Sequence, residues 1–299
     1  MEKPYLLHML TPTVNVSPFD VNLAYDAGWN AVTPYTGVGL EDVTGLVQDA
    51  IFSRGPKGAR RTGMYLGGRD VHLAVDMLEV ARQAMVPPFE VSVFADPSGA
   101  FTTAAAMVAV VKKHLAQIHR QVLAGANAVV FGTGPVGTIV AVLAAREGAR
   151  VKLASHLGMD AAQHAVALCG ERYGVTLEAA NSADDDHKRA LLRDTQVVFS
   201  TAKAGVQILS AALVAGATQL KVAADVNAVP PAGIEGVGVQ DDGVPIQGSI
   251  SDAVGVGALA VGNVKYKIQY DMLCQMREAD EPQYLGFAQA YEAAAKYAG

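Results

Sequence analysis

The sequence predicts an α/β fold: two domains with parallel sheets and a cleft between them. Three observations carry this. Apolar runs of strand length alternate with helical patterns almost from the first residue, as in parallel strands joined by right-handed crossovers. Of the 299 residues, 51% are hydrophobic and only 17% charged, which suits sheets covered on both faces. Finally, Asn127 to His156 reads in succession as strand, glycine turn, helix and second strand.

Taken in order, strands are expected at Tyr5 to Leu10, Ala31 to Pro34, Gly63 to Leu66 and Val91 to Ala95. Helices fall between them near Pro18 to Ala27, Leu40 to Ser53 and Asp70 to Met85. Ser17-Pro18 is a helix start, with Ser as N-cap and Pro at the first helical position. A long helix from about Thr102 to Arg120 leads to the second domain. There the strand Ala128 to Phe131, the helix Pro135 to Glu147 and the strand from Arg150 precede strands at Val175 to Ala179, Gln196 to Ser200 and Gln219 to Ala224. The Gly- and Pro-rich segment Pro230 to Gly248 reads as a functional loop or short irregular layer. Closing helices are expected at about Asp252 to Ala279 and Pro282 to Ala298, bracing the first domain. The domains are therefore drawn as 1–105 plus 268–299, and 106–267.

The turn Gly132-Thr133-Gly134-Pro135-Val136-Gly137 is a G-x-G-x-x-G between a strand and a helix, the context the dinucleotide fingerprint requires. Gly132 permits the tight turn, Gly134 lets the backbone approach a pyrophosphate, and Gly137 lets helix and strand pack closely. Pro135 loses nothing in the first helical turn, where its missing N–H would be unpaired anyway. The free N–H groups and positive dipole end of that helix suit a diphosphate. The second domain is thus read as Rossmann-type and NAD(P)-binding, against a plain glycine turn in a sheet as the alternative. A strictly NAD site would end the next strand in a carboxylate for the ribose hydroxyls. Here it ends Ser155-His156, which leaves NAD and NADP both open; His156 facing solvent is the alternative. Thr201 and Asn227, just past later strands, complete the expected cofactor set.

A net charge of −6 argues against nucleic acid or an anionic membrane as partner. The first ten residues have too short an apolar run for a secretory signal, and no run reaches membrane-span length. Cys169 and Cys274 fit no C-x-x-C pattern and read as free thiols of a cytoplasmic protein. No metal or nucleophile constellation is expected. His114 and His119 do not share a helix face, Asp184-Asp185-Asp186-His187 reads as an acidic helix start, and His8, His72 and His164 stand alone. A dinucleotide site with so little acid–base equipment points to hydride transfer, where the cofactor carries the chemistry. Polar clusters at strand ends (17–20, 96–103 and 225–231) lie where open α/β sheets bind ligands; each alone reads as turn chemistry rather than a site, and the three together favour a site.

Five segments carry a family resemblance over nearly the whole chain: S-P-F-D-V (Ser17 to Val21), F-A-D-P-S-G-A-F-T-T-A-A-A (Phe94 to Ala106), the glycine turn, A-D-V-N-A-V-P-P-A-G-I (Ala224 to Ile234) and G-V-G-A-L-A-V-G-N-V-K-Y (Gly255 to Tyr266). The chain resembles the methylene-tetrahydromethanopterin dehydrogenases of methylotrophic bacteria. It looks closest to the branch that accepts NAD or NADP, since the NADP-restricted branch has a basic pair where this chain has His156-Leu157. The resemblance implies a one-carbon unit on a reduced pterin, held between the domains and facing the nicotinamide, in formaldehyde oxidation. It implies pterin-site roles for Phe19, Thr103 and Lys265, whose plain alternatives are a core Phe, a capping Thr and a surface Lys. Some relatives have a His one turn after that Lys; this chain has Gln269, which suggests positioning by an amide. Asp20 is placed to offset the product cation, or simply to cap its helix. The resemblance also implies a homo-oligomer, a trimer among the sizes it allows. The alternatives are a methylene-tetrahydrofolate dehydrogenase and, from another class, a non-catalytic NAD(P)-sensing protein. A cyclohydrolase activity is disfavoured because no Tyr-x-x-x-Lys spacing occurs.

Overall fold

Strand β1 (Leu6–Thr11) opens the first sheet and sends the chain into helix α1 (Pro18–Asp26), then β2 (Ala31–Thr36). Pro18 occupies the first helical position as expected, but the Ser17 side chain makes no capping bond. The expected helix over 40–53 is divided: a 3₁₀ turn at Leu40–Asp42 precedes α2 (Val43–Phe52), and a four-residue helix α3 (Pro56–Ala59) follows. Strand β3 (Thr62–Leu66) is buried along its whole length. In α4 (Val71–Gln83), Asp70 accepts the N–H groups of His72 (2.8 Å) and Leu73 (3.1 Å), and Val71, Ala74, Met77 and Ala81 form the buried stripe. Strand β4 (Ser92–Ala95) ends at Asp96, and a 3₁₀ turn leads into α5 (Ala100–Gln117).

The fingerprint segment follows as β5 (Asn127–Phe131), α6 (Pro135–Arg146) and β6 (Arg150–Ser155). Next come α7 (Met159–Tyr173), β7 (Glu178–Asn181), α8 (Asp185–Leu192), β8 (Val197–Ser200), α9 (Ala211–Ala215) and β9 (Val222–Asp225). β7 lies three residues beyond the strand expected at 175–179, because pairing with β6 (Lys152 opposite Glu178) fixes its register. The segment 230–248 is not purely irregular. It holds β10 (Asp242–Pro245), antiparallel to β11 (Val254–Val256). β11 also corrects the helix expected from 252: those residues pair in parallel with β9, and the helix α10 begins at Ala258 (Ala258–Glu278). The final segment likewise opens with a two-residue strand, β12 (Tyr284–Leu285), paired with β4, before α11 (Phe287–Ala294). In both places a strand partner distant in sequence overrides local helical periodicity.

The computed structural model describes residues 3–297; the last two residues, to which the closing helix was drawn in part, lie outside them. The chain divides into two units, Met1–Thr102 with Tyr266–Ala293, and Thr103–Lys265 with Ala294–Gly299, each over its described residues. In the first unit one all-parallel sheet has the order β12-β4-β3-β1-β2. The return of α10 to this unit is fastened at Trp29, whose indole N–H donates to the Leu273 carbonyl (3.3 Å). In the second, the order β10-β11-β9-β8-β5-β6-β7 contains the Rossmann arrangement 3-2-1-4-5-6, with β10 as an added antiparallel edge. Its core includes Val129, Phe131, Val198, Leu213, Leu220 and Ala223. Among the described residues no helix is long and apolar enough to cross a membrane, and no group of three or more His, Cys, Asp or Glu is placed to hold a metal.

Candidate functional site

Ligand space in a Rossmann sheet opens where the strand order reverses, here between β5 and β8. The Gly132 to Gly137 turn leaves β5 at that point, and Thr201 leaves β8 beside it. Gly132 has φ +120°, a left-handed conformation reserved for glycine. The Thr201 hydroxyl donates to the carbonyls of Phe131 (3.1 Å) and Gly132 (3.4 Å), fixing the floor of the turn. A Cβ on Gly137 would stand 1.9 Å from the Gly132 carbonyl oxygen, so α6 packs against the turn at glycine distance. A Cβ on Gly134 would meet nothing within 4 Å. Gly134 and Pro135 are exposed at the open start of α6, with Thr133 and Val136 partly covered on either side. This is the cradle that a diphosphate needs: bare backbone, free N–H groups and the helix dipole.

The remaining cofactor-set residues lie at the carboxyl ends of neighbouring strands. Ser155 is buried and its hydroxyl accepts the Leu157 N–H (3.2 Å), so it shapes the turn after β6; His156 projects as an exposed residue of that turn. No carboxylate replaces it at the strand end, where Ser155 faces Asn181 of β7. After β9, the Asn227 carboxamide turns into its own loop. Its oxygen accepts the N–H groups of Gly205 (3.1 Å) and Val229 (2.9 Å), and its nitrogen donates to the Pro231 carbonyl (2.8 Å). The adjacent Asp225 carboxylate accepts from the Asn227 (3.1 Å) and Ile234 (3.1 Å) backbone. Burial pushes this carboxyl upward, partly offset by those hydrogen bonds.

In the other unit a cavity of about 620 Å³ opens at the carboxyl ends of β1, β3 and β4. Thr11, Asn15, Gly68 and Ser98 contribute to its rim, and Asp20 and Tyr65 to its wall. Ser98 (φ 52°) ties the rim by donating to the Gly68 carbonyl (2.7 Å). Asp20 is buried, and its Oδ1 accepts from the Gln269 carboxamide nitrogen at 2.7 Å. The same nitrogen lies 3.2 Å from the Tyr65 hydroxyl, which donates to the Asp96 carbonyl (3.1 Å). The Asp96 carboxylate accepts the Phe101 (2.9 Å) and Thr102 (3.2 Å) N–H groups and the Thr102 hydroxyl (2.6 Å), anchoring the start of α5.

Asp20 and Gln269, singled out from residues 249 positions apart, thus meet directly. Phe19 is exposed and meets Tyr266 edge-to-face at 6.3 Å; Tyr266 in turn stacks on Tyr270. Lys265 precedes Gln269 by four residues in α10, so both lie on one face of that helix. Thr103 sits in the first turns of α5, directly after Thr102. Sequence reasoning missed Tyr65, whose hydroxyl is carried by the buried strand T-G-M-Y-L. A polar-tipped aromatic at the carboxyl end of a buried strand is the signal that would have found it.

The N-terminal profile of methylene-tetrahydromethanopterin dehydrogenases matches residues 18–98. An NAD(P)-dependent methylenetetrahydromethanopterin dehydrogenase of Methylorubrum extorquens is 46% identical over 98% of this chain and 99% of its own length. The bifunctional protein MdtA of the same organism is 33% identical over 92% of this chain and 93% of its own. Among solved structures, a shikimate 5-dehydrogenase of Listeria monocytogenes in complex with shikimate and NAD superposes with a TM-score of 0.57. That likeness covers 94% of each chain at 12% identity and concerns the fold alone.

Proposed function

The chain belongs to the methylene-tetrahydromethanopterin dehydrogenase family, and from this premise we propose how its residues serve the reaction. It is an oxidoreductase that transfers a hydride from methylene-tetrahydromethanopterin to NAD(P)⁺, giving the methenyl form. The observation that carries the reading within the structure is the glycine cradle at the β5–β8 switch point, where Gly134 leaves open the space a diphosphate takes.

NAD(P), when bound, would supply the hydride acceptor. Gly132 to Gly137 would hold its pyrophosphate through backbone N–H groups and the start of α6. His156 would face the ribose, while Ser155, Thr201 and Asn227 act through the turns they shape. The cavity of the other unit takes the pterin, and the family resemblance gives Phe19, Thr103 and Lys265 pterin-site roles. The methylene carbon lies between two nitrogens whose lone pairs favour hydride loss, and the product is an amidinium-like cation. No proton has to move. The protein's task is therefore alignment, which supplies much of the barrier reduction, and accommodation of the new positive charge. Lys265, a cation itself, serves by orienting a pterin or linker oxygen; Asp20 offsets the charge.

The test is reduced-cofactor formation from the methylene forms of tetrahydromethanopterin and tetrahydrofolate, each with NAD and with NADP. Turnover with the methanopterin substrate is expected. Turnover only with the folate would move the chain to the alternative substrate, and none with either would leave a nucleotide-binding protein.

Acceptance of both cofactors rests on the missing carboxylate after β6. His156→Asp is expected to weaken NADP relative to NAD by on the order of tenfold or more, through repulsion of the 2′-phosphate. Calorimetric titration with each cofactor reads this directly. An equal loss for both means that His156 points away from the ribose.

A further inference from the structure

We propose that Tyr65 is a positioning residue of the dehydrogenation: together with the Gln269 carboxamide it holds the Asp20 carboxylate as the negative wall against which the methenyl cation forms. The proposal rests on the reading that the cavity lined by Asp20 and Tyr65 receives the pterin.

The Tyr65 hydroxyl is the junction of this buried cluster. It meets the Asp96 carbonyl at 3.1 Å and also hydrogen-bonds the Asp20 carboxylate, while its oxygen accepts from Gln269. The Gln269 nitrogen therefore has two acceptors, Tyr65 at 3.2 Å and Asp20 Oδ1 at 2.7 Å, matching its two N–H groups. A flipped amide would point its oxygen at the acceptor-only Asp20 carboxylate, so Asp20 sets the orientation of Gln269. Tyr65 accepts the second N–H of that amide and binds the carboxylate itself, so it holds both in place. All three side chains are buried, so neither the amide nor the carboxylate reorients cheaply when charge appears.

The residue types suit a cation-forming step without proton transfer. A carboxamide donates to a carboxylate but cannot protonate it, whereas a lysine or protonated histidine in its place would cancel the negative charge facing the cavity. Tyr65 stays neutral: burial first, then the Asp20 and Asp96 charges, raise its phenol well above the ordinary value. Its ring is held independently of its hydroxyl, edge-to-face on Phe94 at 5.4 Å. Removing the oxygen therefore leaves the packing in place.

Kinetics on the full-length enzyme separate this role from a structural one. Tyr65→Phe is expected to lower kcat about tenfold, the loss of one hydrogen bond to the charge-bearing network. KM for NAD(P) stays unchanged. Affinity for the methenyl product, read as an inhibition constant, should weaken about as much as kcat, while KM for the neutral methylene substrate hardly moves. The loss should also be non-additive with Gln269→Met, since both act through Asp20. Should Tyr65→Phe fail to fold, Gln269→Met alone is expected to show the same split between cation and neutral substrate. An unchanged kcat in a folded variant, or equal weakening of substrate and product, overturns the proposal. The unmodified enzyme assayed alongside keeps the two readings distinct. If it does not turn over the methylene pterin, the functional reading fails; if it does and Tyr65→Phe matches it, only the role of Tyr65 falls.

Discussion

With Gly134→Val the protein is expected to fold and to lose its dinucleotide. The backbone at Gly134 is extended (φ −78°, ψ −176°), a conformation that any residue adopts, and a side chain there enters open space. The valine methyls would, however, stand where the pyrophosphate must approach the backbone. Binding should fall by more than about a hundredfold, roughly 3 kcal/mol, with the thermal midpoint nearly unchanged. Gly137 provides the contrast. There even an alanine Cβ meets the Gly132 carbonyl oxygen at 1.9 Å and the Thr201 hydroxyl at 2.6 Å, so Gly137→Ala should destabilise the unit itself. Calorimetry and melting curves on both variants distinguish a ligand-facing glycine from a packing one. Retained NAD(P) affinity in folded Gly134→Val would remove the turn from the site.

The second large effect is expected at Lys265. If it orients the pterin rather than moving a proton, Lys265→Ala should cut turnover by on the order of a hundredfold, as a displacement of about an ångström can. Dinucleotide affinity should hardly change, because Lys265 lies outside the strand–turn–helix unit of β5 and α6. Lys265→Arg should rescue poorly: the planar fork is wider and remains charged beside a developing cation. General acid–base chemistry would instead appear as a pH profile of kcat governed by one group, which alanine abolishes. Full turnover in the alanine variant would return Lys265 to the role of a surface lysine.

The roles of Lys265 and Gln269 illustrate how unevenly the site was legible. Their relation to each other was readable, since four residues on one helix define one face. Their relation to Asp20 was not. The carboxylate lies 249 positions away, and its contact with Gln269 depends on α10 returning to the unit that holds α1. Asp20 alone reads equally as a helix cap, and the 2.7 Å contact with the amide ties it to α10. Tyr65 was passed over because a strand buried on both faces reads as apolar unless the polar tip of its aromatic is weighed separately.

By itself the sequence determined what depends on short-range steric and hydrogen-bonding rules. These include the α/β class, the strand–turn–helix at 127–156, the glycine roles within it, and the helix starts at Pro18 and Asp184, where Asp184 accepts the His187 N–H at 2.9 Å. Tertiary structure decided whatever requires a distant partner. The short strands β11 and β12 exist only because β9 and β4 offer open edges, and the register of β7 is set by β6 rather than by its own composition. The buried chain from Asp20 through Gln269 and Tyr65 to Asp96 belongs to the same class. A strand pairing or a buried hydrogen bond is a property of two segments at once, and periodicity within one segment holds no information about the other.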